Sequence, residues 1–141
     1  MNSSSICLDA NAVVHLVLRQ ETPQFARQWL EWSQAKRTFI APSILYYEVG
    51  NALYQYYRNS IITHETLTAA QRAAMQLGIR LYADAGVHQR ALDLCIEFAL
   101  PAIYDAHYLA IAERFGAELW TADQRFQRKV ATLPWVRLIE R

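Results

Sequence analysis

The chain lacks any paired-cysteine spacing. Cys7 and Cys95 stand alone among 141 residues, which excludes a disulfide-dense scaffold and a cysteine zinc site. Both read as small hydrophobes in a reduced compartment, and their spacing leaves open whether they bond to one another. No uninterrupted apolar run approaches the roughly 18–20 residues that a membrane-spanning helix needs. The opening MNSSSICLD has neither the basic start nor the long apolar core of a signal peptide, so the expected location is cytoplasmic, with no membrane contact. Charge of one sign is also missing: fourteen Lys and Arg against thirteen Asp and Glu leave a net +1, too balanced to announce a nucleic-acid binder. No internal repeat, low-complexity tract or linker marks a boundary, so a single domain over residues 1–141 is expected.

What remains is an apolar chain. At 53% hydrophobic residues disorder is excluded, and a chain of this length buries roughly 70% of its unfolded surface. The apolar runs ICLD (6–9), TFIAP (38–42), AELWT (117–121) and WVRLIE (135–140) read as strands, with IRLYA (79–83) as a shorter candidate. Helical patterns lie between them. Thr22 is placed to cap a helix with Pro23 at its first position, carrying Phe25, Trp29 and Trp32 as core anchors. Ser43 is placed to cap the next, whose apolar stripe runs through Leu45, Val49, Ala52, Leu53 and Tyr56, with Gly50 permitting a close helix contact. Thr63 or Thr66 caps a fourth. Val87, Ala91, Leu94, Cys95 and Phe98 share one helical face, and Tyr104, Tyr108, Ile111 and Phe115 share another that Gly116 ends. Strands spaced by helices predict an α/β fold with a mostly parallel sheet of four to five strands.

Four acids interrupt this pattern. Asp9 and Asp123 each follow a strand, and each could cap the next helix. Glu48 and Asp105 occupy early helical turns, where Asp105 could simply favour the helix dipole. In a parallel sheet, however, strand carboxyl ends and helix amino ends share one edge, where ligands bind. All four acids can therefore converge. Carboxylates packed together raise one another's pKa, a difficulty that a divalent cation relieves, and oxygen-only ligands suit Mg²⁺ or Mn²⁺ better than Zn²⁺.

The segments CLDANAVVHLV (7–17), APSILYYEVGNAL (41–53) and YDAHYLAIAERFGAELWTAD (104–123), with Arg125-Phe126 just beyond, resemble the PIN-domain family. The likeness is closest to the toxins of VapBC-type toxin–antitoxin pairs. It spans nearly the whole chain and implies a parallel α/β/α sandwich. It further implies catalytic and metal-binding acids at Asp9, Glu48, Asp105 and Asp123, and auxiliary polar groups at Asn11 and Thr121 that orient water or a phosphate oxygen. The implied activity is an endoribonuclease using Mg²⁺ or Mn²⁺, leaving 5′-phosphate and 3′-hydroxyl ends. The implied partners are an RNA substrate, a small antitoxin protein and a second copy in a homodimer. Setting the four acids aside leaves nine acids against fourteen bases, which permits a basic approach surface. Arg125, Arg128 and Lys129 are the candidate phosphate contacts, with a solvated helix face as their plain alternative. No histidine is expected beside the acids: His107, two residues from Asp105, should face elsewhere, and His15, His64 and His88 form no ligand pattern. A catalytically silent module of the same fold, or a metal-dependent DNA nuclease or phosphatase, would carry the same four acids.

Overall fold

In the computed structural model, residues 4–20 and 22–139 are described; Met1–Ser3, Glu21 and the expected last-strand residue Glu140 with Arg141 lie outside them. The elements in chain order are β1 (Ser5–Leu8), α1 (Ala10–Val17), α2 (Pro23–Gln34), β2 (Thr38–Pro42), α3 (Leu45–Arg58), α4 (His64–Met75), β3 (Arg80–Tyr82), α5 (Ala85–Glu97), α6 (Ile103–Phe115), β4 (Glu118–Thr121), α7 (Gln124–Lys129) and β5 (Val136–Leu138). The sheet runs β3-β2-β1-β4-β5 and every pairing is parallel. The chain thus steps outward from β1 through β2 and β3, then crosses back to β4 on the other side of β1. α1, α3 and α4 pack on one another and α5 packs on α6, which lies against the strands: an α/β/α sandwich whose direction reverses between β1 and β4.

Alternation along the strands decides which helix covers which face. Phe39 and Trp120 turn toward α2, where Trp29 stacks on Phe39 at 4.8 Å and Trp32 meets Trp120 edge-on at 5.2 Å. Phe25 stacks against Trp120 at 6.3 Å. Cys7 turns the other way, its Sγ 3.8 Å from the carbonyl of Tyr108 on α6. Both cysteines are free thiols, Cys7 buried and Cys95 half-buried. α6 lies against β1, β2 and β4 with α5 packed on it, so Ala106 and Tyr108–Ala112 are all buried. That is wider than one stripe. Tyr104, expected on the buried stripe, is 53% exposed because it sits in the first turn of α6, where the helix begins at the sheet edge.

Most helix starts follow the expected chemistry. The hydroxyls of Thr22 and Thr63 accept the amides of Phe25 and Thr66, and Asp84 does the same for Val87. Gly116 ends α6 in the left-handed conformation at φ 60°. Gly50 of α3 faces α4: a Cβ there would meet the Gln71 side chain at 3.4 Å, so the close contact is real though not tight. Ser43 is not a cap. It stands in the turn after β2 with its N–H bonded to the Tyr82 carbonyl of β3 at 3.0 Å, and the N-cap of α3 is the next residue, Ile44, whose side chain has no group to cap with.

Candidate active site

The register of β1 and β4 brings the first two acids together. Leu8 pairs with Trp120, so Asp9 emerges beside Thr121, two residues before Asp123. Thr121 is fully buried. Its hydroxyl accepts the Asp123 N–H at 3.0 Å and hydrogen-bonds to the Asp9 carboxylate. Asn11 closes the same junction from α1, its carboxamide oxygen accepting the Ala122 N–H at 3.0 Å. Asn11 and Thr121 therefore spend these atoms on positioning the two acidic loops, a role that the expected contact with water or phosphate did not include. Asp9 and Asp123 do cap α1 and α7, accepting the amides of Ala12 and Phe126 at 3.1 Å each. Capping uses one oxygen of each carboxylate.

Glu48 arrives from the first turn of α3 and Asp105 from the first turn of α6. Tyr108, one turn after Asp105 and only 1% exposed, donates its hydroxyl to Glu48 Oε1 at 2.7 Å. Burial and the Glu48 charge push the Tyr108 phenol far up, so it remains a donor across the working pH range. All four acids line one cleft of about 370 Å³, with Ala10, Asn11, Val14, His15, Ala52, Tyr56 and Tyr108 completing its walls. A hollow of about 650 Å³ between α3 and α4 contains no acid, and the one near Glu113 and Glu118 holds acids already paired with Arg90 and Arg137. Size does not mark the site; uncompensated acid does.

The electrostatics of the cleft follow from burial without counter-charge. Asp9 is pushed up to about 7, chiefly by burial, against hydrogen bonds from Thr121 and the Ala12 amide that pull it down, with the charges of Asp105 and Asp123 adding to the rise. Asp105 is pushed up to about 6 by burial and then by Asp123 and Glu48. The donors are hard oxygens that repel one another, the chemistry that a small divalent cation satisfies. Among the described residues no three such side chains already stand at metal-ligand spacing. The fit is thus one of chemistry and location rather than of a closed coordination shell.

A sequence profile of the PIN domain matches residues 6–131. The chain belongs to the PIN-domain family. Ribonuclease VapC3 of Pyrobaculum aerophilum is 24% identical over 130 residues, covering 91% of this PIN domain and 96% of the relative. The crystal structure of PAE2754 from Pyrobaculum aerophilum superimposes with a TM-score of 0.65 at 22% identity, covering 89% of this chain and 86% of that one. A toxin–antitoxin complex from Klebsiella pneumoniae gives 0.63 at 22% identity over 96% and 98% of the two chains.

The remaining candidates of this PIN domain divide. Arg125 lines a smaller hollow of about 340 Å³ with Asn11, Ala122, Asp123 and Gln124; it shares Asn11 and Asp123 with the acidic cleft and so continues it. Arg128 and Lys129 are exposed on α7 but line neither hollow. His107 does face elsewhere, its Nε2 2.8 Å from His88 Nδ1 and its Nδ1 2.9 Å from the Ile103 carbonyl. The expectation that no histidine lies beside the acids is overturned, because His15 lines the cleft. The signal was there: His15 is four residues after Asn11 and therefore on the same face of α1. Tyr56 was similarly legible, eight residues after Glu48 on α3, as was Tyr108, three after Asp105.

Proposed function

We propose that this PIN domain, acting as one unit over residues 1–141, is a metal-dependent endoribonuclease of the VapC toxin type. The supporting observation is the arrival of Asp9, Glu48, Asp105 and Asp123 in one cleft from four separate segments, at the point where strand order reverses. Stability alone gives no reason for it, since Asp9 and Asp105 are both held at pKa values that make their charged forms unfavourable. The name of the Pyrobaculum relative is that of a ribonuclease.

In this reading the four carboxylates are the residues that hold Mg²⁺ or Mn²⁺. When bound, such a cation supplies Lewis-acid charge at phosphate and lowers the pKa of water. The chain's own groups prepare that arrangement. Thr121 holds Asp9 against the Asp123 loop, Tyr108 fixes one oxygen of Glu48 and leaves the other available, and Asn11 ties α1 to the β4–α7 turn. Arg125, exposed beside Asp123, draws an RNA phosphate toward the cleft, with Arg128 and Lys129 contributing longer-range attraction. A small antitoxin that places a basic side chain in the cleft would neutralise it. The homodimer and the cytoplasmic location belong to the same reading; among the described residues no helix is long and apolar enough to cross a membrane.

The test is cleavage of structured and single-stranded RNA in Mg²⁺, in Mn²⁺ and in chelator, with Asp9→Asn and Asp105→Asn beside the parent chain. Cleavage that needs the cation and falls at least about a hundredfold in both folded variants is expected, because even outer-sphere partners of metal ligands are worth 10–100-fold. Equal cleavage by all three proteins would sink the proposal.

A further inference from the structure

The acidic cleft is not acidic throughout. Two of its walls are helices packed on each other, α1 and α3, and each presents one stripe. On α3 the stripe runs Glu48, Ala52, Tyr56; on α1 it runs Asn11, Val14, His15, in both cases at the three- and four-residue spacing of a helix face. Each stripe begins polar at the sheet edge and becomes apolar or aromatic away from it. Eight residues separate Glu48 from Tyr56, roughly 12 Å of rise at about 1.5 Å per residue. Between them the α3 wall carries only the small side chain of Ala52. The Tyr56 ring is half-buried, held against the core on one side and lining the cleft on the other, and its hydroxyl makes no hydrogen bond among the described residues. Arg125 lies on the opposite flank, in the hollow that shares Asn11 and Asp123 with the cleft.

We propose that Tyr56 is the platform on which an unpaired nucleobase next to the scissile phosphate stacks, making it a specificity-determining residue for single-stranded over duplex RNA. The inference rests on the ribonuclease reading of the cleft. A base inside a duplex already has both faces covered by its neighbours, whereas an unpaired base offers a free face to an aromatic ring. Ala52, the small residue between Glu48 and Tyr56, leaves room in the cleft of about 370 Å³ for that base beside its phosphate, and Val14 of α1 lines the same cleft. A tyrosine ring does not read base edges, so the selection is for strandedness rather than sequence.

The experiment uses the full chain carrying Asp9→Asn to prevent turnover, and a short fluorescent single-stranded RNA whose binding is followed by anisotropy. The same strand in a blunt duplex, and a series with one abasic nucleotide at successive positions, complete the set. Adding Tyr56→Ala is expected to weaken single-strand binding about tenfold, the scale of one lost base–aromatic stack, while Tyr56→Phe binds like the parent. At one position the abasic strand should bind as weakly to the parent as the intact strand binds to Tyr56→Ala, with no further loss when both are combined. Ala52→Leu, which fills the gap one turn before Tyr56 and leaves the tyrosine in place, should weaken the single strand similarly and leave the duplex unchanged. Thermal unfolding of each variant checks that the domain is intact. Unchanged binding by Tyr56→Ala, or an equal loss on intact and on every abasic strand, would overturn the platform. Cleavage by Asp9→Asn equal to that of the parent chain would instead overturn the ribonuclease reading, so the two failures are distinct.

Discussion

Two regions of this domain use the same side chains to opposite ends. Along the α5–α6 seam two acids each have a base: Asp84 takes Arg114 in a two-pronged pair at 2.7 and 2.9 Å, and Glu113 takes Arg90 at 2.7 and 2.9 Å. Hydrogen bonds from Arg114 hold Asp84 well below the usual carboxylate range, and Arg90 lowers Glu113. In the cleft the acids have no base among the described partners, and Asp9 and Asp105 move in the other direction. The seam pairs are exposed and easily satisfied by water, so they contribute little to stability. Asp9 and Asp105 are buried enough to be unfavourable when charged, so their presence calls for an explanation outside folding. Charge that lowers its own cost is architecture; charge that raises it marks the site.

The largest test of that contrast is Asp9→Asn. Asp9 is 5% exposed and its pKa stands about three units above the ordinary value, which converts at 1.36 kcal/mol per unit to an upper bound on the order of 4 kcal/mol at alkaline pH. The amide oxygen still accepts the Ala12 N–H, so the metal-free variant is expected to be more stable than the parent at pH 8 by about 1–3 kcal/mol, measured by denaturant unfolding, while cleavage disappears. A destabilised variant would remove the claim that Asp9 is held against its preference.

The pH dependence of the parent sharpens the same point. A carboxyl whose folded pKa is raised binds more protons in the folded state, so its stabilising contribution is full below the ordinary value of 3.8 and is lost as pH rises through the folded values of about 6 and 7. Thermal midpoints of metal-free protein should therefore rise as pH falls from 8 to 5.5, and Asp9→Asn should flatten the profile. Asp84 works with the opposite sign, its stabilisation lost only as pH falls below its ordinary range, so the two regions act in separate windows.

Tyr108→Phe is expected to give a smaller change. It removes one buried oxygen and frees Glu48 Oε1 from the hydroxyl that donates to it at 2.7 Å; cleavage should fall about 10–100-fold, the range for outer partners of metal ligands, with Mn²⁺ affinity by calorimetry falling in parallel. Smallest of all is the seam. Glu113→Gln should change stability by less than about 1 kcal/mol and leave cleavage untouched; a large effect on either would dissolve the distinction between the regions.

Much of this was legible in the chain. The strands, the Thr22, Thr63 and Gly116 boundaries and the four acids carry local signals: alternation, a hydroxyl before an apolar run, a glycine after one. The misses are equally particular. Ser43 has the right side chain for a cap, but the turn that ties its N–H to Tyr82, thirty-nine residues on, sets the helix start one residue later at Ile44, and no local pattern reports a partner at that distance. Tyr104 fits the apolar spacing of α6 and is exposed because the sheet stops short of it. His15 and Tyr56 were visible as stripe partners of Asn11 and Glu48, yet the same spacing would serve a buried face.

The elements and the acids are written in local patterns, because hydrophobic periodicity and capping act over a few residues. That the acids share a cleft is a matter of long-range packing. Their meeting depends on β1 pairing with β4 in a register that sets Leu8 against Trp120, and on the crossover that returns α6 to the opposite face. Those are choices among long-range pairings. A carboxylate's pKa, and hence its chemistry, is fixed by what surrounds it after the chain has closed, not by its neighbours along the chain.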